Sequence, residues 1–294
     1  MSAAAAGRTL VLGANGNVGT LLVERLAREG AAVTGALRPG REAPREPRSA
    51  GWAEVELGTP ASLAAALAGV NRVVWTPSVG LVPGCIDTLE RADLERVVVI
   101  SSASVHTTLD SGGARAKRDA EARIRASRLR WTILRPTMIY GNARDRNLTR
   151  LLEALERWPI FPLFGDGAGL LQPVFIDDLV EAIVRALSSP VAVAKTYDLG
   201  GGLPLSYRQL VAETAAALGR HVWLVGVPLP LAAAGVRLAN RCGVRALREE
   251  QVLRLAEDKV VDNDPVCREL GIAPRVFADG IRRQIDARRA GRAA

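Results

Sequence analysis

Three glycines spaced as Gly13-Ala-Asn-Gly16-Asn-Val-Gly19 follow a short apolar run, Arg8–Leu12, and open an amphipathic stretch. Between a strand and a helix each has a physical task. Gly13 permits a tight turn, Gly16 lets the backbone approach a pyrophosphate, and Gly19 lets the helix pack closely on the strand. The helix N-terminus offers unpaired N–H groups and a positive dipole end to an anion. The chemistry this implies is dinucleotide binding. After the next apolar run, Ala32–Leu37, a carboxylate would grip the ribose 2′-hydroxyl of NAD. Here the chain reads Arg38-Pro39-Gly40-Arg41, and no acid follows until Glu42. A guanidinium pairs bidentately with a 2′-phosphate, so the expected cofactor is NADP, with NAD the weaker ligand. Arg38 would make the contact and Arg41 assist. His106 and His221 are the two histidines, and Cys85, Cys242 and Cys267 are far apart. No metal site is expected from them, nor a disulfide framework, and the pattern fits a reducing cytoplasm.

The elements that must position these residues alternate between strand and helix. Arg8–Leu12, Ala32–Leu37, Trp52–Leu57, Arg72–Trp75, Val97–Ser101 and Trp131–Leu134 read as strands. Thr20–Arg28, Ala61–Leu67, Cys85–Ala92 and Ala114–Ala126 carry helical spacing between them. Such βαβ units predict an α/β fold, a Rossmann-type doubly wound parallel sheet. Past Pro136 the texture changes. Helices are expected at Asn147–Trp158, Asp177–Ser188 and Ser206–Leu218, with Pro- and Gly-rich chain at Pro159–Gly169 and a Pro-rich link at Pro228–Pro230. Lys195–Leu199 reads as a last strand. The expected organisation is an NAD(P)-binding core at 1–140 completed by segments near 174–200. Residues 141–173 and 201–294 would form a smaller, mostly helical C-terminal lobe for substrate.

Composition narrows the function classes. The 294 residues are 48% hydrophobic and 24% charged, which excludes a disordered chain. No apolar run is long enough for a membrane span, and the N-terminus lacks the pattern of a signal peptide. The formal charge is +8, yet the only lysines are Lys117, Lys195 and Lys259, and aromatic residues are 4%. A nucleic-acid surface needs clustered charge with interleaved aromatics, and these arginines are spread along the chain. The expected partner is a small molecule, on a cytoplasmic monomer or homodimer.

The motifs together resemble the short-chain dehydrogenase/reductase superfamily, in its extended or atypical branch, with a flavour closest to the NmrA-like and complex-I-39-kDa-subunit-like groups. Gly13–Gly19 is similar to the family's glycine loop. Val98-Val-Ile-Ser-Ser102-Ala-Ser-Val105 resembles the strand carrying the active-site Ser, and Thr132-Ile-Leu-Arg-Pro136-Thr-Met-Ile-Tyr140-Gly the stretch lining the nicotinamide. Gln172-Pro-Val-Phe-Ile-Asp-Asp178-Leu and Thr196-Tyr-Asp-Leu-Gly-Gly201 resemble later landmarks. The resemblance implies cofactor contacts from Asn15, Asn17 and Val18 in the loop, Glu56 and Leu57 after the third strand, and Thr76 and Pro77 after the fourth. Ser101, Lys117, Pro136, Thr137 and Met138 complete that set. It places Ser102 at the active-site Ser and Lys117 at the ribose-binding Lys.

The departures carry as much information. The family's Tyr acid stands four residues before its Lys, and that position here is Gly113. The usual Ser–Tyr–Lys proton relay is therefore absent. Candidate catalytic residues are Ser102, Lys117 and Tyr140, with His106 or water as other proton sources. Ser104, His106, Tyr140 and Trp158 are candidate substrate contacts. An Arg that reads a nucleotide diphosphate in related sugar-nucleotide enzymes is replaced by Leu171 or Gln172, which disfavours such substrates unless Arg144, Arg146 or Arg150 compensates. Trp75, Phe161 and Phe164 join Trp158 in suggesting a smaller, more apolar substrate. The expected function is an NADP(H)-dependent oxidoreductase or epimerase-like enzyme acting on a small organic substrate. The alternatives are a non-catalytic NADP(H)-binding sensor or assembly protein and an inert scaffold.

Overall fold

The computed structural model describes residues 7–44, 47–109, 111–142, 145–228, 230–231, 234 and 257–293. Within them the chain divides into two compact units. The first comprises 1–136, 176–199 and 262–273, and the second 137–175, 200–261 and 274–294. Of the closing stretch expected to be mostly helical, residues 232–256 lie largely outside the described residues, as do Cys242, Arg144 and part of the link at 228–230, whereas Asp264–Leu270 and Phe277–Ala293 are helices.

In the first unit six strands follow in sequence: β1 (Thr9–Leu12), β2 (Val33–Leu37), β3 (Gly51–Glu54), β4 (Arg72–Trp75), β5 (Arg96–Ile100) and β6 (Trp131–Pro136). With Lys195–Leu199 they form one seven-stranded sheet, ordered Lys195–Leu199, β6, β5, β4, β1, β2, β3, and every pairing is parallel. This is the doubly wound, Rossmann-type order, whose direction reverses between β1 and β4. The intervening helices are α1 (Asn17–Arg28), α2 (Pro60–Ala66), α3 (Ile86–Arg91) and α4 (Gly112–Ala126). β1, β4 and β5 read as nearly unbroken apolar runs because both faces of a parallel sheet are covered. Leu10, Val73, Val97 and Val99 have no exposed surface, and they pack with Leu63, Leu89 and Ile124 into one core.

Two sequence expectations shift here. The third strand ends at Glu54, three residues short of Leu57, so Glu56 and Leu57 lie in the loop beyond it. The helix expected from Cys85 is preceded by a 3-10 stretch, Val79–Cys85, with Pro83 inside it.

The second unit has its own core, in which Leu148, Leu152, Leu163, Leu210 and Ile281 are buried. Its helices Arg146–Arg157, Tyr207–Leu218 and Phe277–Ala293 are joined by small strand pairs the sequence did not announce. Ile160–Phe164 runs parallel to Trp223–Val227, and Ile139–Tyr140 parallel to Val174–Phe175. Ser206 caps the second of these helices through a reciprocal capping box with Gln209.

Candidate cofactor and active site

Ligands of open α/β sheets bind beyond the carboxyl ends of the strands, where strand order reverses. The loop after β1 occupies that point. Gly13 has φ +75°, a conformation that side chains rarely adopt. A Cβ on Gly19 would stand 2.3 Å from the Gly13 carbonyl oxygen and 2.8 Å from Ala14 Cα. The Gly16 amide donates to the Gly13 carbonyl at 2.9 Å, closing the turn from which α1 rises. Thr76, at the end of β4, clamps this loop rather than facing outward, since its hydroxyl donates to the Leu12 carbonyl at 2.8 Å. Pro77 packs beside Gly13. Val18 is buried, while Asn15 is exposed.

The loop fits a dinucleotide pyrophosphate on two observations. The first turn of α1 holds no acidic residue, so nothing opposes an anion at the positive end of the helix. Asn17 Oδ1, at that end, is buried without a hydrogen-bond partner, an uncommon state for a buried polar atom. Arg38 and Arg41 are exposed beyond β2. Sequence reasoning passed over Glu54, which faces Leu37 across the β2–β3 ladder. Its carboxylate already accepts from the Gly40 amide at 3.3 Å. Glu56 is exposed and bends back on the Gly58 amide. Leu57 packs on the core, so its side chain serves the fold.

Two strands along the same edge, β5 ends at Ile100 and is followed by Ser101. Ser102 follows as the cap of a 3-10 turn, Ala103–His106, its hydroxyl oxygen accepting the Ser104 amide at 3.2 Å. That bond uses a lone pair and leaves the Ser102 O–H free to donate. Ser104 Oγ is buried without a partner. α4 carries Gly113 and Lys117 one turn apart, hence on one face. A Cβ built on Gly113 meets nothing nearer than Ser111 Oγ at 3.8 Å, so the vacant Tyr position is open space, not a filled one.

The Ser101 hydroxyl turns to a buried carboxylate. It donates at 2.6 Å to Glu121, which has no exposed surface. The Arg135 guanidinium grips both Glu121 oxygens, and Arg125 adds a contact at 2.6 Å. Burial pushes the Glu121 carboxyl up, but Arg135, Ser101 and Arg125 outweigh it and hold the group below its ordinary range. Arg135 also lies 3.8 Å from Asp198, its register partner on Lys195–Leu199. Asp198 Oδ1 in turn stands 2.9 Å from His106 Nε2. Neither Glu121 nor Asp198 was legible as a site residue. Glu121 sits one turn beyond Lys117, which was the available signal.

In the second unit Tyr140 is corrected. It is fully buried between Phe175 and Phe277, its hydroxyl on the Phe277 carbonyl and against Gly280. It packs as a core aromatic, with no exposed surface to offer a proton or a substrate. Trp158 is 57% exposed, with the Arg157 guanidinium over its ring, so it walls no enclosed site. Thr137 donates to the Gln172 carbonyl, and Met138 packs into the local core. Gln172, at the position weighed for a diphosphate-reading Arg, is buried. Its amide joins the Gly201 carbonyl and the Val261 amide. Pro136 and Trp75 are buried in the first unit, so Trp75 lines no pocket, whereas Phe161 is half-buried in the second.

Residues 13–157 match the NAD(P)H-binding family model. A plant mitochondrial protein, NADH dehydrogenase [ubiquinone] 1 alpha subcomplex subunit 9 of Arabidopsis thaliana, is 29% identical over 49% of this chain and 36% of its own length. A 2-alkyl-3-oxoalkanoate reductase of Stenotrophomonas maltophilia is 26% identical over 77% of this chain and 72% of its own. An epimerase from Methanothermobacter thermautotrophicus superposes with a TM-score of 0.80 at 16% identity, covering 99% of this chain and 94% of that one. The match at residues 13–157 coincides with the glycine loop and most of the parallel sheet, and the chain spans well under half the length of the first of these curated relatives. No described helix is long and apolar enough to cross a membrane. Among the described residues no group of His, Cys, Asp or Glu is arranged to hold a metal ion.

Proposed function

We propose that the protein is an NADP(H)-dependent oxidoreductase, or a redox-neutral epimerase-like variant, that acts on a small organic carbonyl compound without a Tyr acid. Bound NADPH supplies hydride. Gly13, Gly16, Asn17 and Gly19 would hold the pyrophosphate, and Arg38 with Arg41 the 2′-phosphate. The preference for NADP rests on those exposed guanidiniums and on Glu54, whose carboxylate the Gly40 amide already engages. Lys117 would hold the nicotinamide ribose. Ser102 carries the reading: its hydroxyl is fixed through its oxygen by the Ser104 amide, while its proton remains to be donated to a developing oxyanion. The 3-oxoalkanoate reductase, similar over three quarters of the chain, suggests 3-oxo acids and esters as first probes.

A panel of carbonyls and enones, followed by loss of NADPH absorbance, tests the proposal. Ser102→Ala should lower kcat by about a hundred- to a thousand-fold, the usual effect of removing one oxyanion donor, with NADPH affinity unchanged. Gly113 favours a second reading, a protein that binds NADP(H) without turnover. Tight NADPH binding with no turnover across the panel would decide for it.

A further inference from the structure

We propose that His106, oriented by Asp198, delivers the proton that the missing Tyr would have supplied. The inference rests on the reductase reading of the same site. His106 closes the 3-10 turn that Ser102 caps, so both residues belong to the one short turn that follows β5. The imidazole is half exposed, and its Nε2 lies 2.9 Å from Asp198 Oδ1. A hydrogen bond from one ring nitrogen fixes the tautomer and orientation of the other. With Nε2–H donating to the carboxylate, Nδ1 is the atom that carries a mobile proton.

Asp198 is available for this because its other neighbour is otherwise engaged. The charged groups around the pair are Asp198 on Lys195–Leu199, Arg135 on β6, and Glu121 and Arg118 on α4. Arg135 turns Nε and Nη2 to Glu121 and approaches Asp198 only at 3.8 Å. Arg118 donates to the Val105 carbonyl at 2.7 Å, holding the turn beside His106. Asp198 therefore turns a carboxylate oxygen to the imidazole at hydrogen-bond distance and stands farther from the guanidinium.

The step balances. As the carbonyl carbon takes hydride from the reduced dinucleotide, the π pair of its C=O bond moves to oxygen. That oxygen takes the proton from Nδ1. The imidazole is left neutral, with Nε2–H still on Asp198, and recovers a proton from the solvent to which it is open.

The test uses the full chain with NADPH and ethyl 2-methylacetoacetate. His106→Asn should lower kcat about a hundred-fold or more, within the range for a positioned general acid. It should leave NADPH affinity unchanged. Asp198→Asn, at a positioning residue, should lower kcat with KM and NADPH affinity unchanged. Imidazole ¹⁵N shifts of the wild-type protein read the pair without turnover and should show the neutral ring protonated at Nε2. A ring protonated at Nδ1, or His106→Asn with the wild-type rate, overturns this inference and spares the proposed function. A wild-type protein that turns over nothing on the carbonyl panel overturns both.

Discussion

Glu121 has no contact with solvent, and its worth depends on the cations around it. Truncating one partner of a buried pair leaves the other charge uncompensated, typically at about 3–5 kcal/mol. Glu121→Ala should destabilise the fold on that order, since Arg135 is itself mostly buried, and chemical denaturation would read it. The pH dependence follows from the same contacts. A carboxyl held below its unfolded range contributes stability that is present above that range and lost as pH falls through the folded value. Acid unfolding should thus be steeper for the wild type than for Glu121→Gln below about pH 4. At the other end of the cofactor site, Arg38→Ala should weaken NADPH binding by about 1.5–3 kcal/mol, one charged contact, and leave NADH binding unchanged. Equal losses for both cofactors in calorimetry would remove Arg38 from the 2′-phosphate.

At the level of elements, the β1–loop–α1 unit is where sequence and structure coincide most closely. Each glycine of the triplet has a local reason: a positive φ at Gly13, a close backbone approach at Gly19, and a single neighbour, the Gly13 carbonyl at 3.1 Å, at Gly16. Gly16→Val should therefore fold, because one carbonyl can give by a few tenths of an ångström. It should bind neither NADPH nor NADH, because the side chain would fill the approach to the pyrophosphate. A folded variant with unchanged affinity would contradict the dinucleotide reading of the loop. The sheet strands were legible because parallel strands are apolar throughout, and Lys195–Leu199 was read with its correct bounds. The two-residue strands of the second unit were not legible, since their pairing partners lie far away in sequence and two residues show no period. Tyr140 misled for a related reason. Its place in a family-like stretch suggested chemistry, whereas Phe175 and Phe277, distant in sequence, bury it.

At the scale of the whole molecule, the distances that matter are long in sequence. His106 meets Asp198 across the carboxyl edge of the sheet, and Arg135 reaches Glu121 from a different element. The family resemblance pointed to Ser102, Lys117 and the vacancy at Gly113, which are read from short local stretches. It could not identify the Glu121–Arg135–Asp198–His106 chain, which exists only once Lys195–Leu199 docks beside β6. The glycine loop and this chain of charges are built on one sheet, at the edge where open α/β folds bind their ligands. A site for hydride transfer to a small carbonyl compound is the function we infer from that arrangement. Transfer of deuterium from NADPH labelled at C4, with each face labelled in turn, into the alcohol formed from ethyl 2-methylacetoacetate tests it directly by mass spectrometry. The account predicts label at the carbinol carbon from one face only. Tight NADPH binding with no labelled alcohol from either face would contradict it.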